Sequence, residues 1–304
     1  LLSQYDSNPK YKQYVDNIDW YITPVLNPDG YEYSRNQDRM WRKNRNPNNY
    51  ARFNWCWGVD LNRNFNWEWG GRGSSYDECK EIYHGTHAFS EPESRAVELF
   101  VNKMRYDIEG FITLHSYSQI WMYPFGHQVN NRSHDWRELS RVARRGADKL
   151  KSYYGTEYVV NTGANALYPA SGGSDDWAKG KMGVKFVYLL ELRPEDNMLD
   201  ASRGFLLPPS EILPTCEETW GGLREVADEI LRRSNVGPLP ESGSQVDPQV
   251  TEATEAPNRI QPAVPVCFDK RHDCEYWLQN RLCNWVRESC RRTCGLCNAT
   301  RVTN

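Results

Sequence analysis

The chain has 304 residues, of which 39% are hydrophobic and 25% charged, and its formal net charge at pH 7 is −3. These proportions are ordinary for a folded globular chain of one or two domains. So small a net charge gives no reason to expect a nucleic acid partner, and no apolar run is long enough to span a membrane. The opening LLSQYDSNPK is neither a start methionine nor a signal peptide, so we expect the chain to begin inside a longer protein.

Residues 1–234 have the pattern of a single α/β body. Apolar, β-branched runs predict strands, and the later ones are apolar on both faces, as in strands covered by helices. Between and after them, apolar residues recur with helical spacing. Ser90 and Glu93 predict a capping box at the start of the first of these helices. The predicted strands are 18–26, 109–115 and 184–192, and the predicted helices are 90–104, 134–154 and 215–234.

The C-terminal part of the chain changes character. Residues 235–266 are rich in Pro, Ser, Thr and Glu, which predicts a disordered or extended linker. Six of the nine cysteines follow within 267–297, ahead of a short tail at 298–304. A zinc site is compatible with the C-x-x-C at 294–297, but a block this dense favours three disulfides. We therefore expect a secreted, extracellular protein.

Two polar residues end apolar strands and are candidates for chemistry. His115 ends FITLH and is placed like a metal ligand, although a core histidine with satisfied hydrogen bonds is the commoner case. Glu191 lies within VYLLELR, where a carboxylate is costly unless it is paired or bound to a metal. Burial is expected to raise its pKa, which suits a general base. The alternative is an ion pair with Arg193.

Other motifs offer groups that bind anions. Asn62 and Arg63 stand side by side in DLNRNFN, and an amide beside a guanidinium can grip a carboxylate. Arg42 in MWRKNR has the charge to stabilise an oxyanion. For its neighbours Lys43 and Arg45 we expect a solvated basic loop. In the glycine-rich stretch LYPASGGSDDW, a tyrosine is followed by two aspartates, either of which could simply cap the next helix.

In this order the motifs closely resemble the zinc metallocarboxypeptidases of the pancreatic carboxypeptidase A/B type. They are NPDGY, WRKNR, GVDLNRNF, YHG, HSYSQ, YPASGGSDDW, ELR and GFLLP, and the resemblance covers about residues 5–234. It implies an α/β fold, namely a three-layer α/β/α body with a central mixed β-sheet, whose first elements are missing here. It also implies release of C-terminal residues from peptides or proteins, with one Zn²⁺ as cofactor.

The resemblance assigns roles residue by residue. His115 matches the third zinc ligand, Glu191 the general base, and Arg42 the residue that polarises the scissile carbonyl. Asp175 matches the base of the side-chain pocket, and an aspartate there resembles the B-type enzymes, which prefer C-terminal Lys or Arg. Asp176 matches a structural position. The groups implied in substrate binding besides Asp175 are Asn62, Arg63, Ser116, Tyr117 and Tyr168.

The first two zinc ligands of the family come from an H-x-x-E motif, which this chain lacks at the expected place. Neither His84 with His87 nor His272 with Glu275 is a credible substitute, because both lie in the wrong part of the chain. Catalytic zinc normally needs three protein ligands. We therefore expect either an N-terminally truncated part of an active enzyme or a catalytically inactive secreted binding protein.

Residues 267–297 resemble the ShK-toxin-like domain, a small disulfide-rich helical module. That resemblance implies the pairs Cys267–Cys297, Cys274–Cys290 and Cys283–Cys294, and a role in binding a protein partner or substrate. In the body, the carboxypeptidase resemblance implies a disulfide between Cys56 and Cys79. Cys216 is left as an odd thiol, expected to be buried or intermolecular.

Overall fold

The structure is a computed structural model, and it describes residues 1–47, 56–196 and 204–239. Almost all of the predicted linker, the ShK-like module with its three disulfides, and the tail lie outside these ranges. Seven α-helices and four strands are defined within them. The helices are α1 (Pro9–Asn17), α2 (Pro28–Asn36), α3 (Pro92–Lys103), α4 (Trp136–Tyr154), α5 (Gly163–Ala166), α6 (Ser174–Gly180) and α7 (Ile212–Arg233). The strands are β1 (Gly110–Ser118), β2 (Ile120–Tyr123), β3 (Val159–Thr162) and β4 (Phe186–Glu195).

The four strands form one sheet in the order β1-β4-β2-β3. β1 runs parallel to β4 and β2 runs parallel to β3, whereas β2 and β4 are antiparallel. The sheet is therefore mixed, as predicted.

Side chains of β4 alternate between two cores on opposite faces of the sheet. Phe186, Tyr188 and Leu190 pack with α4 and α7 around the buried Trp121. Val187 packs on the other face with residues of α3 and α6. Because successive strand residues point to opposite faces, this alternation places helices on both sides and gives the predicted three-layer arrangement.

The strand predicted at 18–26 is wrong. These residues form neither helix nor strand, and their apolar side chains are largely exposed, with Tyr21 at 57% and Ile22 at 73%. Tyr21 contacts Phe100 of α3 edge-on. A strand needs a hydrogen-bonding neighbour, and within the described residues β1 pairs only with β4. The propensity of this run is therefore not realised as a strand.

The three predicted helices are confirmed, with different boundaries, as α3, α4 and α7. The capping box is wrong, because α3 starts after Glu91 with Pro92 in its first turn, and the Ser90 hydroxyl donates to the Glu91 carboxylate (2.7 Å). Helices α1 and α2 were not predicted. Each begins at an Asn-Pro pair. The asparagine accepts a capping bond and the proline fills the first helical position, a signal that the sequence does contain.

The expectation of a solvated basic loop at residues 43–45 is also wrong. Lys43 is only 2% exposed and donates through Nζ to the carbonyl oxygen of Glu78 (2.8 Å). The Arg45 guanidinium lies 3.6 Å from the ring centroid of Tyr33 and 4.5 Å from that of Trp41. Long basic side chains bury their stems and stack on aromatic faces when a neighbouring surface is provided.

Candidate active site

His115 and Glu191 are neighbours across the sheet. They are register partners on the parallel strands β1 and β4, so their side chains lie on the same face. This is the face of Val187, which packs toward α3 and α6. Two strand ends that sequence analysis treats separately therefore meet at one place.

The imidazole of His115 is half-buried and lies among charged groups. Its Nε2 is 3.0 Å from the hydroxyl oxygen of Thr113, two residues earlier on the same face of β1. Burial, reinforced by the positive charge of Arg42, lowers the pKa of His115 to about 4. A neutral imidazole at physiological pH is the form that ligates metals.

The alternative for Glu191, an ion pair with Arg193, is not what the structure shows. Arg193 donates instead to Glu218 through Nε (2.7 Å), to Glu211 through Nη1 (2.7 Å) and to Thr156 through Nη2 (2.7 Å). Arg193 thus connects the end of β4 to α7.

Sequence analysis missed Asp60, which organises the cationic groups of the site. Its carboxylate accepts from Arg42 Nε (2.9 Å), lies 3.9 Å from Arg63 Nη1, and caps the short 3-10 helix 61–63 by accepting from the Asn62 N–H (3.1 Å). Burial favours the protonated acid, but Arg42 and Arg63 hold the pKa of Asp60 below its usual value. In turn Asp60 raises the pKa of Arg42, to which Tyr168 and Glu191 add. An aspartate preceding a short helix was the signal available in the sequence.

Arg63 and Asn62 are held by their neighbours in the chain and by the loop before α6. The Arg63 side chain is almost fully buried, and it donates to the carbonyl oxygens of Gly73 (2.7 Å) and Asn62 (2.8 Å). Asn62 Oδ1 accepts from the Ser174 N–H (3.0 Å). The loop comes so close that a Cβ on Gly172, whose φ is +76°, would lie 2.3 Å from the Arg63 carbonyl oxygen. Only glycine suits that position.

Asp175 and Asp176 occupy the first turn of α6 and are both buried, at 8% and 1% exposure. Burial, together with the charge of Asp176, raises the pKa of Asp175 to about 7. Asp176 accepts from the backbone N–H groups of Gly126 (2.8 Å) and His127 (2.9 Å), and its Oδ2 is 2.8 Å from His127 Nδ1.

The remaining candidates differ in their placement. Tyr117 lies where the register of β1 and β4 shifts, and its ring contacts Phe205 edge-on at 4.9 Å. Ser116 pairs with Leu192, which packs against the α4–α7 core, so its side chain lies on the face opposite to His115. Tyr168 follows α5 and is half-buried, and it contributes to the raised pKa of Arg42.

A disulfide joins Cys56 and Cys79, the pair that the family resemblance implies. Cys216 is an exposed free thiol, which corrects the expectation that it might be buried.

Among the described residues, no group of three or more His, Cys, Asp or Glu side chains could hold a metal ion. His115 is one suitable ligand, whereas catalytic zinc normally takes three from the protein. The donor set in the described ranges therefore does not fit a complete catalytic zinc site.

Comparisons with known proteins agree with this architecture. The sequence model of the zinc carboxypeptidases matches residues 1–222, and that of the ShK-like domains matches 266–297. Carboxypeptidase B of Astacus astacus is 40% identical over 231 residues, which are 76% of this chain and 74% of the relative. Carboxypeptidase A4 of Mus musculus is 42% identical over 230 residues, covering 76% of this chain and 52% of the relative.

A solved structure of bovine thrombin-activatable fibrinolysis inhibitor, in complex with tick carboxypeptidase inhibitor, matches with a TM-score of 0.70. It is 38% identical and covers 76% of this chain and 74% of that one. The chain belongs to the zinc carboxypeptidases, a family of C-terminal exopeptidases, and it also contains an ShK-like domain. Within the described ranges, none of the helices has both the length and the apolar character that crossing a membrane requires.

Proposed function

We propose that this chain carries the substrate-binding and proton-transfer groups of a zinc-dependent exopeptidase that releases C-terminal Lys or Arg from peptides or proteins. The observation that carries the proposal is the Asp60-centred cluster. Asp60 holds both Arg42 and Arg63, and the positive charges of these two arginines contribute to the lowered pKa of His115.

Asn62, Arg63 and Tyr168 are proposed to bind the free C-terminal carboxylate of the substrate. Asn62 Oδ1 accepts from the Ser174 N–H, so under this proposal its NH₂ group is the part that donates to the ligand carboxylate. A guanidinium and an amide at adjacent positions match the two oxygens of a carboxylate, and such charge-assisted bonds are the strong ones. A site that requires a free carboxylate acts only at chain ends.

Arg42 and Glu191 are proposed to act on the scissile bond. Arg42 donates toward the carbonyl oxygen and stabilises the charge that develops there. Glu191 takes a proton from the attacking water and passes it to the departing amine. Tyr117, with Phe205 behind it, lines the neighbouring subsite.

The family is a zinc family, and in this chain His115 is the proposed ligand. Among the described residues, no set of three or more His, Cys, Asp or Glu side chains could hold the metal. The same shortage favours a second candidate function, a secreted protein that binds peptide C-termini without cleaving them. Zinc content of the purified chain, measured together with hydrolysis of a Lys-terminated peptide, separates the two. Stoichiometric zinc with hydrolysis supports the enzyme, and peptide binding without either supports the binding protein.

We propose that the protein is secreted, which suits the Cys56–Cys79 disulfide. The ShK-like domain is proposed to bind a protein partner or to dock substrate.

The first prediction concerns the free carboxylate. The peptide acetyl-Gly-Gly-Lys is expected to bind at least about 100-fold more tightly than the same peptide with an amidated C-terminus, because Asn62 and Arg63 would lose their charged partner. Isothermal titration calorimetry measures both affinities without requiring catalysis. Equal binding of the two peptides would show that the site does not recognise chain ends.

The second prediction concerns the side-chain pocket. Asp175→Asn removes the anion that is proposed to pair with a cationic side chain and keeps the size of the residue. The preference for acetyl-Gly-Gly-Lys over acetyl-Gly-Gly-norleucine, which lacks only the amino group, is expected to fall by about 100-fold at pH 8. Exposed Asp148→Asn on α4 serves as the matched control. A preference that Asp175→Asn leaves unchanged would assign the selection to another residue.

A further inference from the structure

Two adjacent carboxylates lie buried at the start of α6, and only one of them is fully provided with donors. Asp176 has two backbone N–H groups, from Gly126 and His127, and the imidazole Nδ1 of His127 within 2.9 Å. The two backbone N–H groups stabilise its negative charge. They also hold the carboxylate on the side of the loop after β2, so Asp176 is not available to a ligand.

His127 is itself held in place, which makes this arrangement rigid. Trp67 Nε1–H donates to His127 Nδ1 (3.1 Å), and Asn131 Nδ2 lies 3.0 Å from His127 Nε2. The ring is 9% exposed and packs against Trp67 and Phe125, which stack on each other. The charge next to Asp175 is therefore fixed in position by the fold.

Asp175 has a different environment. Among the described residues it forms no salt bridge, and the charged groups that act on it are Asp176 on its own helix and Arg63 on the 3-10 helix, with His127 beyond Asp176. A second negative charge beside Asp176 is costly in a buried site. Burial first, and then the charge of Asp176, raise the pKa of Asp175 to about 7, against partial relief from backbone donors and Arg63.

We propose that Asp176 is a positioning residue for substrate specificity, whose fixed charge disfavours a second charge on Asp175 until a cationic C-terminal side chain pairs with it. In the step, Asp175–COOH and the ammonium of a C-terminal Lys give an Asp175 carboxylate paired with that ammonium, and one proton passes to solvent. The inference rests on the proposed function, because it requires that the pocket receives the C-terminal side chain.

This linkage makes selectivity depend on pH. Below about pH 7 the empty pocket is neutral and accepts an apolar side chain, whereas a basic one must first displace the proton. The affinity for the Lys peptide is therefore expected to fall about tenfold for each pH unit below 7 and to level off above it, so the preference for Lys over norleucine falls as the pH is lowered. Neither the ligand carboxylate nor its ammonium titrates in this range.

The experiment uses the full chain and the acetyl-Gly-Gly-Lys and acetyl-Gly-Gly-norleucine peptides. Calorimetric titrations at pH 6, in two buffers of different ionisation enthalpy, count the protons released on binding. We expect about 0.9 proton for the Lys peptide and about none for the norleucine peptide. Asp176→Asn removes the neighbouring charge. In this variant the midpoint, the pH at which the affinity for the Lys peptide reaches half of its plateau, should move at least about one unit lower. Proton release on binding the Lys peptide at pH 6 should fall to about half a proton or less. Asp148→Asn should behave like the unmodified chain.

The outcomes separate this inference from the proposed function. If neither peptide binds the unmodified chain, both are overturned. If the Lys peptide binds without proton release, the proposed function stands and the inference fails. If Asp176→Asn weakens both peptides equally without moving the midpoint, Asp176 has only a structural role. Should that variant not fold, the pH dependence of the Lys-to-norleucine ratio in the unmodified chain decides, and a flat ratio overturns the inference.

Discussion

Replacing Asp60 by asparagine is expected to lower the free energy of unfolding by about 3 kcal/mol and to abolish binding of peptide C-termini. Asp60 is the common partner of Arg42 and Arg63, and Arg63 is almost fully buried. Removing one member of a buried ion pair leaves an uncompensated charge, which typically costs about 3–5 kcal/mol. We place the value at the lower end because the Arg42 side chain is 39% exposed and can be solvated. Chemical denaturation and calorimetry measure the two effects.

Asparagine is the informative replacement because it separates charge from capping. It keeps an oxygen that can accept from the Asn62 N–H, and asparagine and aspartate are equally good caps. Asp60→Ala loses the cap as well and should cost about 1 kcal/mol more. Full stability and full peptide binding in Asp60→Asn would contradict the view that this carboxylate organises the site.

Arg193→Leu should lower the free energy of unfolding by about 3–5 kcal/mol. Arg193 bonds Glu218, whose side chain is completely buried, as well as Glu211 and Thr156. Those bonds, above all the one to Glu218, raise the pKa of Arg193. Without the guanidinium, Glu218 would be a buried charge whose remaining described bond is to the Thr156 hydroxyl.

The matched test is a double-mutant cycle with Glu218→Leu. Replacing both partners by apolar residues removes the unpaired charge, and such replacements are often nearly neutral. The double variant should therefore recover most of the stability that Arg193→Leu loses, as followed by denaturant unfolding. Additive losses in the two single variants would instead indicate that the bonds to Glu211 and Thr156 dominate.

The architecture could be predicted from sequence wherever an element is determined by its own pattern. β4 and α4 carry continuous apolar or helical periodicity, and both form as expected. Residues 18–26 have comparable strand propensity but no strand neighbour within the described residues. Pairing is a non-local property, so propensity alone could not decide that case.

The candidate site could be predicted only as a set of separate groups. The family resemblance points to His115, Glu191, Arg42, Asn62, Arg63 and Asp175, and their roles remain predictions. Neither pattern nor resemblance identified Asp60 or His127. Their importance comes from contacts across the fold, such as Asp60 with Arg42 and His127 with Asp176, 49 residues apart. Such contacts leave no local periodicity to read.

The bond between Asn62 Oδ1 and the Ser174 N–H has a consequence for which cations the pocket can accept. It joins the proposed carboxylate site directly to the first turn of the helix that carries Asp175, and the Phe65–Gly172 backbone bond (3.0 Å) braces the same loop. Under the proposed function, the two anchors of a bound residue thus belong to one rigid unit with a fixed separation. Lysine and arginine are then expected to span it, whereas ornithine and diaminobutyrate, shorter by one and two methylenes than lysine, are expected to leave a gap for water. Selection among cationic residues would then depend on the length of the side chain, because the fold sets the separation of the two anchors.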